Sequence, residues 1–382
     1  MRTDSHIHNV LKGYALTDFS SRWGERLEAV QAADVERELA QVPGRFRLGR
    51  LATLVSPAAG GYLEAMAQQS HVLTVQRFGK TVSLYAPLYL SNVCSNRCTY
   101  CGFNCDSPTE RRRLSLDEAV AEAKIIRGEG FTDLLLVSSE DRTHVSINYL
   151  AELAARLRGM FSSLSLEIHQ LENEEYRRLL DAGIEGVTLY QETYDRATYA
   201  RFHLAGPKSD YERRLRAFDD IAGAGMRRVG LGSLLGLADW RLETLALGVH
   251  AHALMKRYWR AHVSFSFPRL RPADEVQAEQ FDCLLDDRNL VQMVLALRLC
   301  FADAGLVLST RESAQLRKHM LPLGITRMSA GSKTNPGGYG GHSSTGEQFQ
   351  VDDARPAIEV AEMIRTQGCE PVWKDWDAAF VR

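Results

Sequence analysis

The 382-residue chain has no apolar run approaching the ~20 residues of a membrane-spanning helix, no internal repeat and no low-complexity tract. It also lacks a dominant charge: 46 Lys and Arg stand against 48 Asp and Glu, a net of −2. These absences argue against a helical membrane span and leave no electrostatic footprint for a nucleic-acid partner. The segment Met1 to Asn9 is polar rather than signal-like, so a cytoplasmic protein is expected. Cysteine is scarce and odd in number, seven in all, which in a chain without an export signal points to reduced thiols rather than a disulfide framework.

What is present is the composition of an ordinary globular protein, 45% apolar and 25% charged. The length would allow two or three domains, but α/β barrels occupy roughly 250 to over 400 residues as one unit. Residues 1–75 read as a helical extension, with helices over Asp34 to Ala40 and Gly61 to Gln69 and a break at Ser56-Pro57. Residues 76–382 alternate short β-rich runs with helical patterns, as a parallel sheet requires. Strands are predicted over 82–88, 132–138, 163–168, 186–190, 227–233, 262–267, 306–309 and 325–329. Helices are predicted over 144–158, 173–182, 210–222, 241–258, 288–303, 312–319 and 355–367, and after the cysteine loop Ser115 and Glu118 form a capping box for another, stopped by Gly128 and Gly130. The alternation predicts a closed (β/α)8 barrel. Arg111-Arg112-Arg113 is read as a solvated turn rather than a phosphate patch.

Three of the cysteines cluster as Cys94-x3-Cys98-x2-Cys101, just after the first strand. With seven cysteines in 382 positions, chance would produce roughly 0.002 such patterns, so accident is a poor explanation. Three thiolates on one tight loop can cap three corners of an iron–sulfur cube. A closed zinc site, which needs four ligands, is the alternative, with Cys105 or a distant His as the fourth.

The C-x3-C-x2-C spacing, with Tyr100 before the last cysteine, resembles the radical S-adenosylmethionine (SAM) superfamily. The resemblance implies a [4Fe–4S] cluster on Cys94, Cys98 and Cys101, with SAM bound to the open iron and cleaved to methionine and a 5′-deoxyadenosyl radical. It implies cofactor contacts from Tyr100, from Ser138-Ser139-Glu140, where relatives often carry Gly-Gly-Glu, and from Gly230 and Gly232 after the fifth strand. Glu167, an acid in an apolar run, needs a partner if buried; SAM and an internal ion pair are both open to it.

Over nearly its full length the chain further resembles the 2-iminoacetate synthases, the tyrosine lyases of thiamine thiazole biosynthesis. The matching stretches include Pro87-Leu-Tyr89-Leu-Ser-Asn, Tyr190-Gln-Glu-Thr-Tyr194, His203-Leu-Ala-Gly-Pro-Lys208, Ser266-Phe-Pro-Arg269-Leu-Arg271-Pro, Ser309-Thr-Arg311-Glu-Ser, Ser329-Ala-Gly-Ser-Lys333-Thr and Pro371-Val-Trp-Lys-Asp-Trp376. This implies cleavage of L-tyrosine at Cα–Cβ to p-cresol and 2-iminoacetate. Arg311 would clamp the carboxylate with its planar fork, its structural alternative being an ion pair with Glu312; Tyr89 and Ser329 match positions that hydrogen-bond the amino acid. Tyr190-Gln191-Glu192 is expected to line the cavity. Arg269, Arg271 and His262 are open between the phenol end and acidic neighbours. Lys333 and Gly337-Gly338 fit either a mobile loop over the site or an inert turn. Thiazole synthase, and a flavodoxin or ferredoxin as reductant, are the partners the resemblance implies.

Three rival readings are open to the sequence. The tyrosine lyase of hydrogenase maturation needs a further C-x2-C for a second cluster, and Cys369 alone stands near this chain's end. A tryptophan lyase would share the carboxylate clamp. A noncatalytic metal-binding protein would hold zinc or a fully ligated cluster and bind no SAM.

Overall fold

The computed structural model describes residues 6–19, 21–273, 276, 280–341 and 345–374; the last two residues of the Pro371–Trp376 stretch lie outside them. Helices come first: α1 (His6–Gly13), α2 (Ser21–Glu28), α3 (Ala32–Leu39), α4 (Leu48–Val55) and α5 (Leu63–Phe78). Strand and helix then alternate through β1 (Thr81–Ser91), a two-residue β2 (Arg97–Cys98), α6 (Leu116–Gly128), β3 (Asp133–Ser138), α7 (Ile147–Leu157), β4 (Ser163–Glu167), α8 (Asn173–Ala182) and β5 (Gly186–Glu192). A short excursion, α9 (Arg196–Phe202) and β6 (His203–Ala205), precedes α10 (Tyr211–Gly223). The alternation resumes with β7 (Arg228–Ser233), α11 (Trp240–Arg257), β8 (His262–Ser266), α12 (Asp287–Cys300), β9 (Gly305–Leu308), α13 (Ala314–Met320) and β10 (Arg327–Ser329), and ends with α14 (Ala357–Thr366) and β11 (Glu370–Val372).

Among the described residues, eight parallel strands run in the order β1-β3-β4-β5-β7-β8-β9-β10, and β10 pairs with β1 through Ser83–Arg327, Leu84–Met328 and Tyr85–Ser329. The sheet is therefore closed. All eight predicted strands fall on these eight. Strands buried on both faces need continuous apolar runs, and Leu134-Leu135-Leu136-Val137 of β3 supplies one, buried throughout. The capping box opens α6: Ser115 Oγ accepts from Glu118 N (3.3 Å) while Glu118 Oε2 accepts from Ser115 N (2.7 Å), and Gly130 follows its end at φ 104°.

The barrel is plugged at one end and open at the other. At the strand starts, Asp133 is held by Arg228 (3.1 Å) and Arg327 (2.7 Å), three charges that satisfy one another away from water. The strand ends face an open mouth, where barrel enzymes carry their chemistry. Two β-bulges lie at that mouth, one between β1 and β3 at Tyr89/Ser91 and one between β5 and β7 at Tyr190/Glu192. His262 opens β8, at the opposite end from the mouth.

Candidate functional site

Two adjoining cavities occupy the open end. The larger encloses about 980 Å³ counting its open mouth. Cys94, Cys98 and Cys101 all line it, together with Tyr100, Ser138, Ser139, Glu140, Glu167, Tyr190, Glu192, Lys208, Arg214 and Arg311. The smaller, about 560 Å³, is lined by Tyr85, Tyr89, Leu135, Val137, Glu167, Tyr190, Phe267, Val307, Arg311, Ser329 and Phe349 among others. Val137, Glu167, Tyr190, Pro268, Arg311 and Phe349 belong to both and form the wall between them, with Glu167, Tyr190 and Arg311 its hydrogen-bonding side chains.

The cysteine loop is built by Arg111, which donates to the carbonyls of Asn92 (2.7 Å), Phe103 (2.9 Å), Asn104 (2.6 Å) and Ser107 (3.0 Å). Arg112 pairs with Glu118 and Arg113 with Asp141. The arginine run is thus a scaffold for the loop, not a solvated turn. It was misread because chain-remote carbonyls leave no mark on composition.

All three thiols are free, and Cys105, the proposed fourth zinc ligand, is exposed. Among the described residues no three His, Cys, Asp or Glu side chains converge as a single metal ion requires. Three thiols lining one cavity match the three corners that a cluster with one open iron asks of the protein, whereas closed tetrahedral zinc needs a fourth ligand. Burial raises the Cys94 thiol and pushes Cys98 up to about 12, a penalty that bound iron would reverse by its own charge.

Glu140, buried at the end of β3, accepts one hydrogen bond from Asn96 Nδ2 (3.1 Å) while its Oε1 has no partner. A buried carboxylate oxygen left without a donor fits an ammonium ligand, the group that SAM would present. Tyr100 is fixed by His203: the ring's Nδ1 lies 2.7 Å from the Tyr199 carbonyl, so it carries the proton and Nε2 accepts from the Tyr100 hydroxyl at 2.8 Å. Gly230 and Gly232 do not line the cavity. A Cβ on Gly230 would meet Thr188 Oγ1 at 2.6 Å, and one on Gly232 would meet Ser266 O and Tyr190 Cδ1 at 2.7 and 2.8 Å. These glycines make room for pocket-lining side chains of β5.

Glu192 lines the cavity beside Lys208, Arg214, Gln348 and Phe349, whose roles carried no signal in the sequence. Glu192, a non-glycine residue at φ 70°, is ion-paired with Lys208 (2.5 Å) and lies 3.7 Å from Arg214. Burial pushes Glu192 upward, but Lys208 and Arg214 outweigh it and hold the carboxyl below its usual range. Gln348 and Phe349 come from the segment after β10: Gln348 Oε1 accepts from Tyr89 Oη (2.7 Å), and the Arg311 guanidinium lies 3.3 Å from the Phe349 ring centroid. Gln191, expected at the cavity, points away and is fully buried; only Tyr190 and Glu192 of that trio line the site.

Arg311 has no ion pair with Glu312 among the described residues. Glu312, fully buried, is held by Arg269 and by Arg271 (2.9 Å), which assigns both arginines to an acidic neighbour rather than the phenol end. Ser329 Oγ accepts from Thr310 N (3.1 Å). The Gly337-Gly338 turn is packed down: Glu122 accepts from Tyr339 N (2.9 Å) and Gly340 N (2.6 Å), and Tyr339 Oη donates to Pro87 O (2.8 Å).

Comparison with known proteins agrees with this geometry. The Radical SAM superfamily model matches residues 88–246 and the Biotin and Thiamin Synthesis associated domain matches 266–370. The chain is 43% identical to the 2-iminoacetate synthase of Escherichia coli (strain K12) over 95% of its own length and 98% of that protein's. It superposes on the FeFe-hydrogenase maturase HydG from Carboxydothermus hydrogenoformans with TM-score 0.84 at 31% identity, covering 96% of this chain and 84% of that one. Methylornithine synthase (PylB), at 20% identity and TM-score 0.70, shares the fold.

Proposed function

The chain belongs to the 2-iminoacetate synthases of the radical SAM superfamily, and from that premise we propose how its own residues carry the reaction. It is a carbon–carbon lyase that splits L-tyrosine at Cα–Cβ into 2-iminoacetate and p-cresol. The observation that carries the residue assignments is the two-part cavity: a thiol-lined cleft and an arginine-bearing pocket that share a wall. When bound, the [4Fe–4S] cluster and SAM supply the one-electron chemistry that removes a hydrogen atom from the substrate.

Cys94, Cys98 and Cys101 hold the cluster, and Glu140, flanked by Ser138 and Ser139, receives the cofactor's ammonium. Tyr100, held by His203, packs beside them. In the second pocket Arg311 clamps the tyrosine carboxylate, with Tyr89 and Ser329 as further polar contacts, and the apolar wall of Leu135, Val137, Phe267 and Val307 takes the aromatic ring. Phe349, stacked on the planar Arg311 guanidinium, holds the orientation of the fork. The reading that thiazole synthase takes the product, and that a flavodoxin or ferredoxin delivers the electron, rests on family membership alone.

The test is anaerobic reconstitution with iron and sulfide, reduction, and addition of SAM with tyrosine or tryptophan. p-Cresol and glyoxylate, the hydrolysis product of 2-iminoacetate, are expected from tyrosine only, without cyanide or carbon monoxide. 5′-Deoxyadenosine without p-cresol would mean a different substrate.

A further inference from the structure

Three acids line the larger cleft: Glu140, Glu167 and Glu192. Glu192 is already neutralised by Lys208 and Arg214, and Glu140 does not reach the second pocket. Glu167 alone of the three lines both cavities, and Arg311 does so with it. One hydrogen bond holds it among the described residues, Tyr190 Oη donating to Glu167 Oε2 at 2.9 Å, which leaves the other oxygen free to accept.

A zwitterionic amino acid presents one anion and one cation on adjacent bonds. The wall between the cavities presents one cation, Arg311, and one acid, Glu167, in the matching sense. The stoichiometry adds a demand. The substrate nitrogen enters as an ammonium with three hydrogens and leaves in 2-iminoacetate as an imine with one. One hydrogen departs as an atom and the other as a proton, so a base must stand at the nitrogen.

We infer that Glu167 receives the ammonium of the substrate and takes its proton, while Arg311 holds the carboxylate. The N–H bond breaks with its electron pair staying on nitrogen, an O–H bond forms on the Glu167 oxygen that Tyr190 leaves free, and the ammonium–carboxylate pair becomes a neutral amine and a neutral acid. This rests on the tyrosine lyase reading above. The groups facing Glu167 are Tyr190 and Glu192 from β5, Tyr85 and Tyr89 from β1, Lys208 and Arg311. Burial raises its carboxyl above the ordinary value against the lowering pull of the Tyr190 hydroxyl and Arg311, so it is a stronger proton acceptor than a surface glutamate.

The experiment uses cluster-loaded enzyme with SAM, unreduced, and compares the binding of tyrosine with that of 3-(4-hydroxyphenyl)propionate, which keeps the carboxylate and phenol but lacks the amine. Wild type is expected to prefer tyrosine tenfold or more, and Glu167→Gln to bind the two within threefold of each other with affinity for the amine-free ligand retained. In turnover, kcat/KM of Glu167→Gln is expected to climb with pH toward the pKa of the free amine, where wild type is flat. An unchanged preference together with a parallel pH profile overturns the inference. If Gln at 167 does not fold, Glu167→Asp shortens the reach and should lose part of the preference; full retention would overturn it equally. Wild-type protein that makes no p-cresol from tyrosine would instead sink the lyase reading.

Discussion

Arg311 stands next to Glu312 in sequence, yet Glu312 turns away to Arg269 and Arg271 and leaves the guanidinium to the cavity. A charge-assisted contact of this kind contributes about 1.5–3 kcal/mol, so Arg311→Ala should raise the Kd for tyrosine roughly 10- to 100-fold. SAM cleavage without substrate should persist. Unchanged tyrosine affinity, measured by titration of the loaded enzyme, would remove Arg311 from the clamp. The position of this arginine was legible because a strand end in a barrel is a place of known meaning. Its neighbours were not: Lys208, Arg214, Gln348 and Phe349 reach the site through tertiary contacts that no local pattern encodes, although a buried Glu192 already demanded a cation somewhere.

At the scale of elements, the eight strands and the capped α6 were legible from apolar runs and the Ser115–Glu118 pair, since both are local. The loop between β1 and α6 was legible only as chemistry. Its shape depends on Arg111, whose guanidinium gathers four carbonyls from residues 92 to 107. Arg111→Ala leaves those carbonyls without their common donor while the barrel strands keep their pairing. The expected outcome is a protein with near wild-type melting behaviour that retains less than half the iron and sulfide after reconstitution. Full cluster loading would show that the cysteine spacing alone sets the loop, and Arg111→Lys, which keeps the charge but not the fork, should fall between.

For the whole molecule, the critical layer is α11, which is buried on both sides. Its outer face meets α1 and α4, and at Gly248 a Cβ would meet Leu51 of α4 at 2.5 Å; its inner face carries Glu243 into the barrel wall. There Glu243 accepts from Thr193 Oγ1 (2.5 Å) and Tyr194 N (3.2 Å), and burial pushes its carboxyl up to about 8 from an ordinary 4.5. The folded pKa lies above the unfolded one, so this group's stabilising contribution is complete below about pH 4.5 and is lost as pH rises through 8. A shift of 8 − 4.5 = 3.5 units corresponds to at most about 5 kcal/mol at 1.36 kcal/mol per unit. Glu243→Gln keeps the shape and removes the titration. The wild-type Tm should therefore fall more steeply than that of Glu243→Gln between pH 5 and pH 9, with the two converging at the acid end. Parallel curves across that window would mean that the carboxyl ionises without loosening the contact between α11 and the barrel, and that the layer tolerates a buried charge by drawing in a partner.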